Sequence, residues 1–459
     1  MKNEKSIAVY TLGCRLNIYE SDGILQQFIS QGYSYKNWWE GADVVVVNTC
    51  TVTHQADSKN RNIIRSLHRI NPKSKIIVTG CYAQTEIEEL KKIPEVFAII
   101  GNEKKSQIFQ IFEELEQVQQ KENLYSTGPL VEFHQAKKRR KIQNPFDYGL
   151  VAPIGHTRAY VKIQDGCDRK CSYCKIPLAR GGGVSRPIDD ILRHIDYLQS
   201  LKIPEIILTG VNIGWYRHEN IRFIDLLEKI LDRLYYSRLR ISSIEPSDVN
   251  ETLAKLTLHP KFCNFLHVPL QSGSDRILRL MKRSYNSITF TKRIEKVLKY
   301  NPNIFLGTDV IVGFPTETQE DLQNTMKLLK ELNFAHIHPF PFSLRKGTEI
   351  ENFIREHKIS LFSRNELKAK VHLFLDLKKE LFLEYVKKNL HQVFEGIIED
   401  VQENHKNHVK ILTDNYLNIR VDLPQDSQSY KKGQFIHVRL KNFTLTSEAE
   451  EIELIGEVL

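Results

Sequence analysis

Apolar and polar positions alternate in blocks along residues 1–120. Short runs that are apolar at every position, such as residues 44–47, alternate with longer segments that carry an apolar stripe at helical spacing. Strands that are apolar throughout are buried on both faces, as in a parallel sheet covered by helices. The pattern predicts an N-terminal parallel α/β domain with strands over 7–11, 43–48, 75–79 and 96–100 and helices over 18–30, 56–70, 86–91 and 104–119.

The alternation stops between residues 121 and 148, where the chain becomes polar and basic. This segment holds Asn144-Pro145 and the run Lys137-Lys138-Arg139-Arg140-Lys141. We predict a basic linker whose cations either face solvent or contact nucleic acid.

A second alternation of strands and helices spans residues 149–390. Six strands are predicted, over 159–164, 205–209, 240–244, 265–268, 306–312 and 336–339. Helices are predicted over 188–201, 223–234, 274–281, 288–300 and 320–332, followed by a long polar helix over 363–388. Six βα units are typical of a partial (βα)6 barrel. Residues 391–459 alternate short apolar segments with turns and predict a small β-barrel.

Length and charge refine this division of the chain. With 459 residues, of which 41% are apolar, the chain is long enough for about three domains, each with its own core. The net charge is +9, because 65 Lys and Arg outnumber 56 Asp and Glu. Residues 391–459 carry 7 basic and 12 acidic residues, so the positive charge lies in the first 390. An anionic macromolecule is therefore an expected partner, and most of the attraction should come from outside the C-terminal segment.

The sequence shows no apolar run of membrane-spanning length and no signal-peptide pattern at its start, so we expect no membrane association and a cytoplasmic protein. The cytosol keeps thiols reduced. Clustered cysteines in such a protein indicate metal binding rather than disulfides.

Three of the seven cysteines, Cys167, Cys171 and Cys174, form a C-x3-C-x2-C run directly after a predicted strand. Three thiolates at this spacing can ligate three irons of a [4Fe–4S] cubane and leave the fourth iron open to another ligand. The alternative is a structural zinc site, which needs four ligands. His194 or Cys263 would then have to fold in as the fourth.

Cys14, Cys50 and Cys81 each follow the end of a predicted strand in the N-terminal domain. The carboxyl ends of parallel strands share one edge of the sheet, so we expect these thiols to converge and to ligate a second cluster. The alternative is three independent buried cysteines. Cys263 has no partner in the sequence, and we expect it to be structural.

Several segments together resemble the methylthiotransferase family of radical S-adenosylmethionine (SAM) enzymes over nearly the whole chain. They are Thr11-Leu12-Gly13-Cys14-Arg15-Leu16-Asn17, Asn48-Thr49-Cys50, Thr79-Gly80-Cys81, the three-Cys loop, Ala179-Arg180-Gly181, Ser185-Arg186-Pro187, His267-Val268-Pro269-Leu270-Gln271-Ser272-Gly273-Ser274 and Thr308-Asp309-Val310-Ile311-Val312-Gly313-Phe314-Pro315. The C-terminal segment resembles the TRAM domain of that family.

This resemblance implies an enzyme that replaces C–H by C–SCH3 with two [4Fe–4S] clusters, two SAM molecules and a one-electron reductant protein. It also implies that SAM lies along the carboxyl ends of the barrel strands, where barrel active sites form. The expected SAM-binding residues are Tyr173, Gly210, Asn212, Glu245, Gln271, Ser272 and Asp309.

The first motif and the segments 242–246 and 413–417 are most similar to the subfamily that modifies C2 of N6-threonylcarbamoyladenosine next to the anticodon of tRNA. Members that act on isopentenyladenosine in tRNA or on a ribosomal protein are the alternatives. An alternative of a different class is a metal-stabilised RNA-binding protein that is not an enzyme.

The expected RNA contacts are Arg180, Arg186, Lys137, Lys138, Arg139 and Arg140, together with cations on predicted helices, among them Arg276, Arg283 and Arg293. Two departures from the subfamily pattern bear on this surface. Gly182-Gly183-Val184 stands where an arginine is frequent, and the TRAM-like segment is acidic.

Overall fold

The structure is a computed structural model that describes residues 5–122, 130–132, 144–402, 408–423, 430–445 and 452–459. The basic run that includes Lys137, Lys138, Arg139 and Arg140 lies outside these residues. Its predicted contact with RNA therefore stays a prediction.

The N-terminal domain is a parallel sheet of six strands in the order β2-β1-β3-β4-β5-β6. Its strands are β1 (Ser6–Thr11), β2 (Ser34–Tyr35), β3 (Val44–Thr49), β4 (Lys75–Gly80), β5 (Val96–Ile100) and β6 (Leu130–Glu132). Its helices are α1 (Arg15–Ser30), α2 (His54–Ile70), α3 (Cys81–Thr85), α4 (Ile87–Leu90) and α5 (Ile108–Glu122).

Alternate residues of β3 serve opposite faces of this sheet. Val44 and Val46 pack into the core beneath α1 and α5, whereas Val45 and Val47 pack into the core beneath α2. The uninterrupted apolar run is thus explained by burial on both faces, as predicted. The edge strands β2 and β6 were not predicted because they are short.

The central domain contains six parallel strands, and its fold class is confirmed. They are β7 (Arg158–Lys162), β10 (Glu205–Thr209), β13 (Arg238–Ile241), β14 (Phe265–His267), β15 (Phe305–Val312) and β16 (His336–Pro341). Two three-stranded sheets, β13-β10-β7 and β14-β15-β16, are joined by main-chain hydrogen bonds, of which Ile244 N to His267 O at 2.9 Å is one. The six strands therefore form one curved sheet, the partial barrel.

Helices cover this barrel, and short strand pairs extend from its loops. The helices are α6 (Ile176–Arg180), α7 (Ile188–Ser200), α8 (Phe223–Arg233), α9 (Glu251–Leu256), α10 (Asp275–Leu280), α11 (Ser287–Tyr300), α12 (Gln319–Glu331), α13 (Glu349–Glu356) and α14 (Arg364–Lys388). The short strands are β8 (Gln164–Asp165), β9 (Val184–Ser185), β11 (Arg217–His218) and β12 (Ile221–Arg222). No helix in the described part of the chain is long and apolar enough to span a membrane.

The C-terminal domain is a closed five-stranded barrel in the order β17-β18-β19-β21-β20, as predicted. Its strands are β17 (Val393–Gln402), β18 (His408–Thr413), β19 (Asn418–Asp422), β20 (Phe435–Leu445) and β21 (Ile452–Val458).

Glu205 organises the contact between the central and C-terminal barrels. It is the first residue of β10, is completely buried and accepts hydrogen bonds from Arg238 and Arg240 at 2.8 Å each. Burial alone would raise the pKa of Glu205, but Arg240 and Arg238 outweigh it and hold this pKa well below its ordinary value. The same arginines donate to main-chain carbonyls of the C-terminal barrel: Arg238 to Glu395 and Leu412 at 3.1 Å, and Arg240 to Thr413 at 3.3 Å.

We expect Glu205→Ala to lower the free energy of unfolding by about 3–5 kcal/mol, because it leaves buried arginines without their anion. Thermal unfolding followed by circular dichroism measures this loss, and limited proteolysis should show earlier release of the C-terminal barrel. Glu399→Ala is the matched control, since Glu399 pairs with Arg158 at 2.8 Å but is 28% exposed and should contribute less than about 1 kcal/mol. Equal losses in the two variants would contradict the role of Glu205.

Candidate metal and cofactor site

Cys14, Cys50 and Cys81 follow three neighbouring strands, β1, β3 and β4, at one edge of the N-terminal sheet. Gly13 and Gly80 precede two of these cysteines, and both have a φ of +97°. A Cβ atom on Gly80 would lie 2.4 Å from the Thr49 carbonyl oxygen, and one on Gly13 would lie 2.8 Å from Cys50 Sγ. Glycine is required at both positions because the chains turn and approach each other where the thiols meet.

Neighbouring polar groups hold the three thiols together. The Asn17 amide donates to the carbonyls of Leu12 and Thr49 at 2.7 and 3.1 Å, which ties the first two strand ends together. Burial raises the pKa of Cys50 to about 12, and the nearby Cys81 and Cys14 thiols contribute to the shift. The topology thus gathers three sulfur ligands, two of them buried and Cys14 exposed. Their role as cluster ligands stays a prediction.

The loop with Cys167, Cys171 and Cys174 follows β8 at the carboxyl end of the central barrel. Cys174 N donates to Cys171 O at 3.1 Å, and Arg169 N donates to Cys167 Sγ at 3.4 Å. Burial raises the pKa of Cys174 to about 12, with the Cys171 thiol as the next cause. The loop therefore collects three soft donors in a turn.

The two candidates for a fourth zinc ligand are engaged elsewhere. His194 lies 3.0 Å from Arg186 Nη1 and 2.7 Å from the Val151 carbonyl oxygen, and burial lowers its pKa to about 3. The thiol of Cys263 points to Glu205, with the sulfur 3.6 Å from the carboxylate. Within the described ranges, no three His, Cys, Asp or Glu side chains are grouped closely enough to hold a single metal ion. Three thiols without a fourth ligand suit a cubane with one open iron rather than zinc.

The two sets of cysteines face each other across the domain boundary. Helix α3, which begins at Cys81, packs against α6, which follows Cys174. Asn102 Nδ2 donates to the Ala179 carbonyl at 2.8 Å, and Lys175 forms an ion pair with Glu86 across the same boundary. Both cysteine segments therefore lie beside the same contact between the N-terminal domain and the barrel.

Arg180 lies between the two trios and corrects an expectation. Its guanidinium donates to Asn17 Oδ1 at 2.6 Å, next to the N-terminal cysteines, and to the Asp165 carboxylate at 3.1 Å, two residues before Cys167. Arg180 is 2% exposed, and Arg186, which contacts His194, is 4% exposed. Neither side chain is available to RNA in this structure, so the predicted RNA contacts at these two positions are wrong.

Several cations predicted to lie on helices are also engaged within the protein, and one of them, Arg283, lies between α10 and α11 rather than on a helix. Arg283 donates to Cys171 Sγ at 3.2 Å and to Glu245 Oε2 at 2.5 Å. Arg293 donates to the Ser247 and Val249 carbonyls, and Arg276 pairs with Asp321. Arg283 therefore contacts the cysteine loop. Its position in the sequence, between Lys282 and Ser284, did not predict this contact.

Among the predicted SAM-binding residues, Asn212 has the clearest signature of a ligand site. Asn212 is 3% exposed, yet neither Oδ1 nor Nδ2 has a hydrogen-bond partner among the residues that the structure describes. Its main-chain N–H is held by Gln164 Oε1 at 2.8 Å, which fixes the loop. A buried amide without partners is costly unless a ligand satisfies it. Gly210 lies two residues earlier, where a Cβ atom would come within 2.9 Å of the Gln164 carbonyl oxygen.

The other predicted SAM residues lie at the same end of the barrel but already have partners. Glu245 pairs with Arg283, and Tyr173 packs edge-on against Phe314. Gln271 has a φ of +66°, and Ser272 Oγ accepts from Ser274 N at 3.2 Å. SAM contact at each of these four positions stays a prediction.

Asp309 belongs to a polar cluster across β14, β15 and β16. Its carboxylate lies 3.4 Å from His267 Nε2 and 3.7 Å from His338 Nδ1, and Ser243 Oγ lies 2.9 Å from His267 Nδ1. Burial would raise the pKa of Asp309, but the two histidines outweigh it and lower the pKa. This cluster can hold a hydrogen-bonding ligand within the barrel.

A further residue of the boundary, Arg345, was missed from the sequence. It is buried and donates to Thr51 Oγ1 at 2.7 Å and to Asp57 Oδ2 at 2.6 Å, while its Nε and Nη1 lack partners. Thr51 follows Cys50 directly, so Arg345 ties the barrel to the N-terminal cysteine edge.

Two of the segments that pointed to a subfamily touch each other. Arg15 Nη2 donates to the Tyr416 hydroxyl at 3.1 Å and lies over its ring at 5.7 Å. Tyr416 also stacks on Phe265 with ring centroids 4.7 Å apart. The signature residues Arg15 and Tyr416 therefore join the N-terminal domain to the C-terminal barrel.

Two family models match the chain. Residues 6–101 match the Uncharacterized protein family UPF0004, and residues 161–329 match the Radical SAM superfamily. Among solved structures, a radical S-adenosylmethionine methyltransferase, TsrM, from Kitasatospora setae, with cobalamin and a [4Fe–4S] cluster bound, covers 77% of this chain and 75% of its own. Its TM-score is 0.57 at 14% identity, so it supports the fold alone.

Curated relatives cover nearly the whole chain. The threonylcarbamoyladenosine tRNA methylthiotransferase MtaB of Bacillus subtilis is 34% identical over 94% of this chain and 97% of its own. The protein of the same name from Aquifex aeolicus is 32% identical over 90% and 96%. A tRNA-2-methylthio-N(6)-dimethylallyladenosine synthase from a Sulfurihydrogenibium species is 32% identical over 87% and 89%. With this similarity along its length and a radical SAM domain that carries the three-cysteine loop, the chain belongs to the methylthiotransferase family of radical-SAM enzymes.

Proposed function

We propose that this enzyme adds a methylthio group to C2 of N6-threonylcarbamoyladenosine next to the anticodon of tRNA, using two [4Fe–4S] clusters and two SAM molecules. The observation that carries the proposal is the pair of cysteine trios that face each other, joined through Arg180. One trio is typical of any radical SAM enzyme, whereas sulfur insertion needs a second centre that presents sulfur to the substrate. A cytoplasmic setting suits a reduced iron–sulfur protein.

Relatives support the substrate. Proteins named for threonylcarbamoyladenosine tRNA match at 30–34% identity, among them those of Bacillus subtilis and Treponema pallidum. The dimethylallyladenosine relative at 32% identity keeps isopentenyladenosine tRNA as the second candidate substrate. A ribosomal protein as substrate has no such support among these relatives.

The chain's own residues would position the reactants. Cys167, Cys171 and Cys174 would hold a cluster, which would supply the one-electron chemistry with SAM that an unactivated C–H requires. Asn212 would donate to and accept from bound SAM, and Gly210 leaves room for close approach. The Asp309 cluster with His267 and His338 would bind the polar edge of the substrate base in the barrel. Domain contacts around Arg180 and Arg345 would help to exclude water from the reactants.

The RNA would approach over Trp215 at the mouth of the barrel. Trp215 lies one turn after Asn212, is 39% exposed and has the Arg169 guanidinium 4.8 Å from its ring centroid. It lines an open cavity of about 420 Å³ together with Asp168, Gly183 and Arg217. An exposed aromatic ring beside arginines is a platform on which an unstacked base can stack. This face replaces the buried Arg180 and Arg186 as the proposed RNA contact.

The substrate is tested by nucleoside mass spectrometry of cellular tRNA with and without the gene. We expect the methylthio form of N6-threonylcarbamoyladenosine to disappear in the deletion strain while the unmodified nucleoside accumulates. Complementation with Cys14→Ala should fail to restore it. Loss of methylthio-isopentenyladenosine instead, or unchanged tRNA, would reject the proposed substrate.

The number of clusters is tested by iron analysis of anaerobically reconstituted protein. We expect about eight irons per chain, and about four after replacement of either complete trio by alanine. Cys263→Ala is the matched control, because Cys263 contacts Glu205 far from both trios and should leave the iron content unchanged. If the protein without Cys14, Cys50 and Cys81 still binds about eight irons, the two-cluster proposal fails.

Asn212→Ala should weaken SAM binding roughly 5- to 100-fold, the effect of losing one or two hydrogen bonds. Equilibrium binding of SAM to reconstituted protein measures it. Asn220→Ala is the control, since Asn220 is exposed on the β11–β12 turn. Unchanged SAM affinity in Asn212→Ala would remove Asn212 from the SAM site.

Trp215→Ala should raise the Kd for an anticodon stem-loop roughly 5- to 100-fold, because one stacked base contributes about 1–3 kcal/mol. Trp215→Phe should keep most of the affinity, and cleavage of SAM without RNA should not change. Tyr235→Ala is the control, because Tyr235 is exposed at the opposite end of the barrel, before β13. RNA binding equal to that of the unaltered protein would place the RNA elsewhere.

A further inference from the structure

Five ionisable side chains form a buried network between the N-terminal domain and the barrel. They are Glu20, Lys105, Lys162, Asp165 and Arg180, and each side chain is at most 3% exposed. Glu20 accepts from Lys105 at 2.5 Å, from Lys162 at 2.8 Å and from Arg180 at 2.9 Å. Asp165 accepts from Lys162 at 2.6 Å and from Arg180 at 3.1 Å.

This network has one more cation than anion. Three positive side chains face two carboxylates, and the other groups in direct contact with them within the described residues are neutral, among them the Asn17 amide, the Pro145 carbonyl and the rings of Phe146 and Tyr148. An unpaired buried charge is strongly destabilising unless another charge of opposite sign lies near it. The balancing anion is therefore expected close to the network.

Lys105 carries the excess charge. Lys162 contacts both carboxylates and a carbonyl oxygen, whereas Lys105 has Glu20 as its one polar partner among the residues that the structure describes. Burial lowers the pKa of Lys105 despite Glu20, whereas Asp165 and Glu20 outweigh burial at Lys162 and raise its pKa. The thiol of Cys81 interacts electrostatically with both Lys105 and Arg180.

The charge of the N-terminal centre has the required sign. A dicationic cubane core bound by three thiolates carries one net negative charge. The trio of Cys14, Cys50 and Cys81 reaches the network through Asn17, whose Oδ1 accepts from Arg180 at 2.6 Å and lies 3.9 Å from Cys14 Sγ.

We propose that the negative charge of an iron–sulfur cluster at Cys14, Cys50 and Cys81 balances the excess positive charge of Lys105 in this network. Lys105 is thus a positioning residue. Through its charge, binding of the cluster and docking of the two domains stabilise each other. The inference rests on the proposed function in one respect, namely that these cysteines hold a cluster.

The test uses full-length protein with Cys167→Ala, Cys171→Ala and Cys174→Ala, so that only the N-terminal cluster forms. Two quantities are measured with and without Lys105→Met: the rise in unfolding midpoint on cluster loading, and the reduction potential of the cluster from an EPR-monitored titration. We expect the rise to be at least halved in Lys105→Met. The potential should become more negative, since a nearby cation favours the reduced cluster.

Matched variants separate charge balance from simple packing. Lys105→Arg keeps the charge and should keep both values, and Lys105→Gln keeps a donor to Glu20 but should follow Lys105→Met in both. The inference is overturned if Lys105→Met and Lys105→Gln retain iron and show the same rise in unfolding midpoint and the same reduction potential as the background protein. That outcome would leave the two-cluster proposal standing. If the background protein retains no iron at all, the two-cluster proposal is overturned and this inference with it.

Discussion

Parallel strands all leave a sheet at the same edge, and in this chain two such edges are turned toward each other. Each edge presents three cysteines, and buried charged side chains lie in the contact between the two domains. Arg180 is central to this arrangement, because it binds Asn17 beside one trio and Asp165 beside the other. The relative position of the two candidate metal centres therefore depends on the guanidinium of Arg180, which is shielded from solvent.

Much of the fold followed from apolar periodicity. The strand 205–209 was predicted with its observed bounds, and the six barrel strands and the C-terminal β-barrel were predicted as such, because burial on both faces leaves a strong signal. Short edge strands such as Ser34–Tyr35 carry no such signal. The convergence of Cys14, Cys50 and Cys81 was predicted from topology, because the apolar pattern locates the strand ends that these residues follow.

The partners of charged side chains could not be predicted in the same way. The sequence around Arg180 and Arg283 is compatible both with a buried ion pair and with a contact to nucleic acid. Burial of an arginine depends on which carboxylates lie opposite it, and Glu20 is 160 residues away from Arg180. Likewise, the unpaired amide of Asn212 is visible only when the groups around it are known.

The polar part of the contact between the C-terminal and central barrels is made by carbonyl oxygens of the smaller domain's backbone, at positions 395, 412 and 413. Every amino acid supplies the same carbonyl, so substitutions in the smaller domain leave these bonds intact as long as its strands keep their path. These hydrogen bonds therefore depend on the arginines of the central barrel and not on the identity of the residues that supply the carbonyls. An acidic version of this domain can thus persist on the same scaffold without any change in how it is attached.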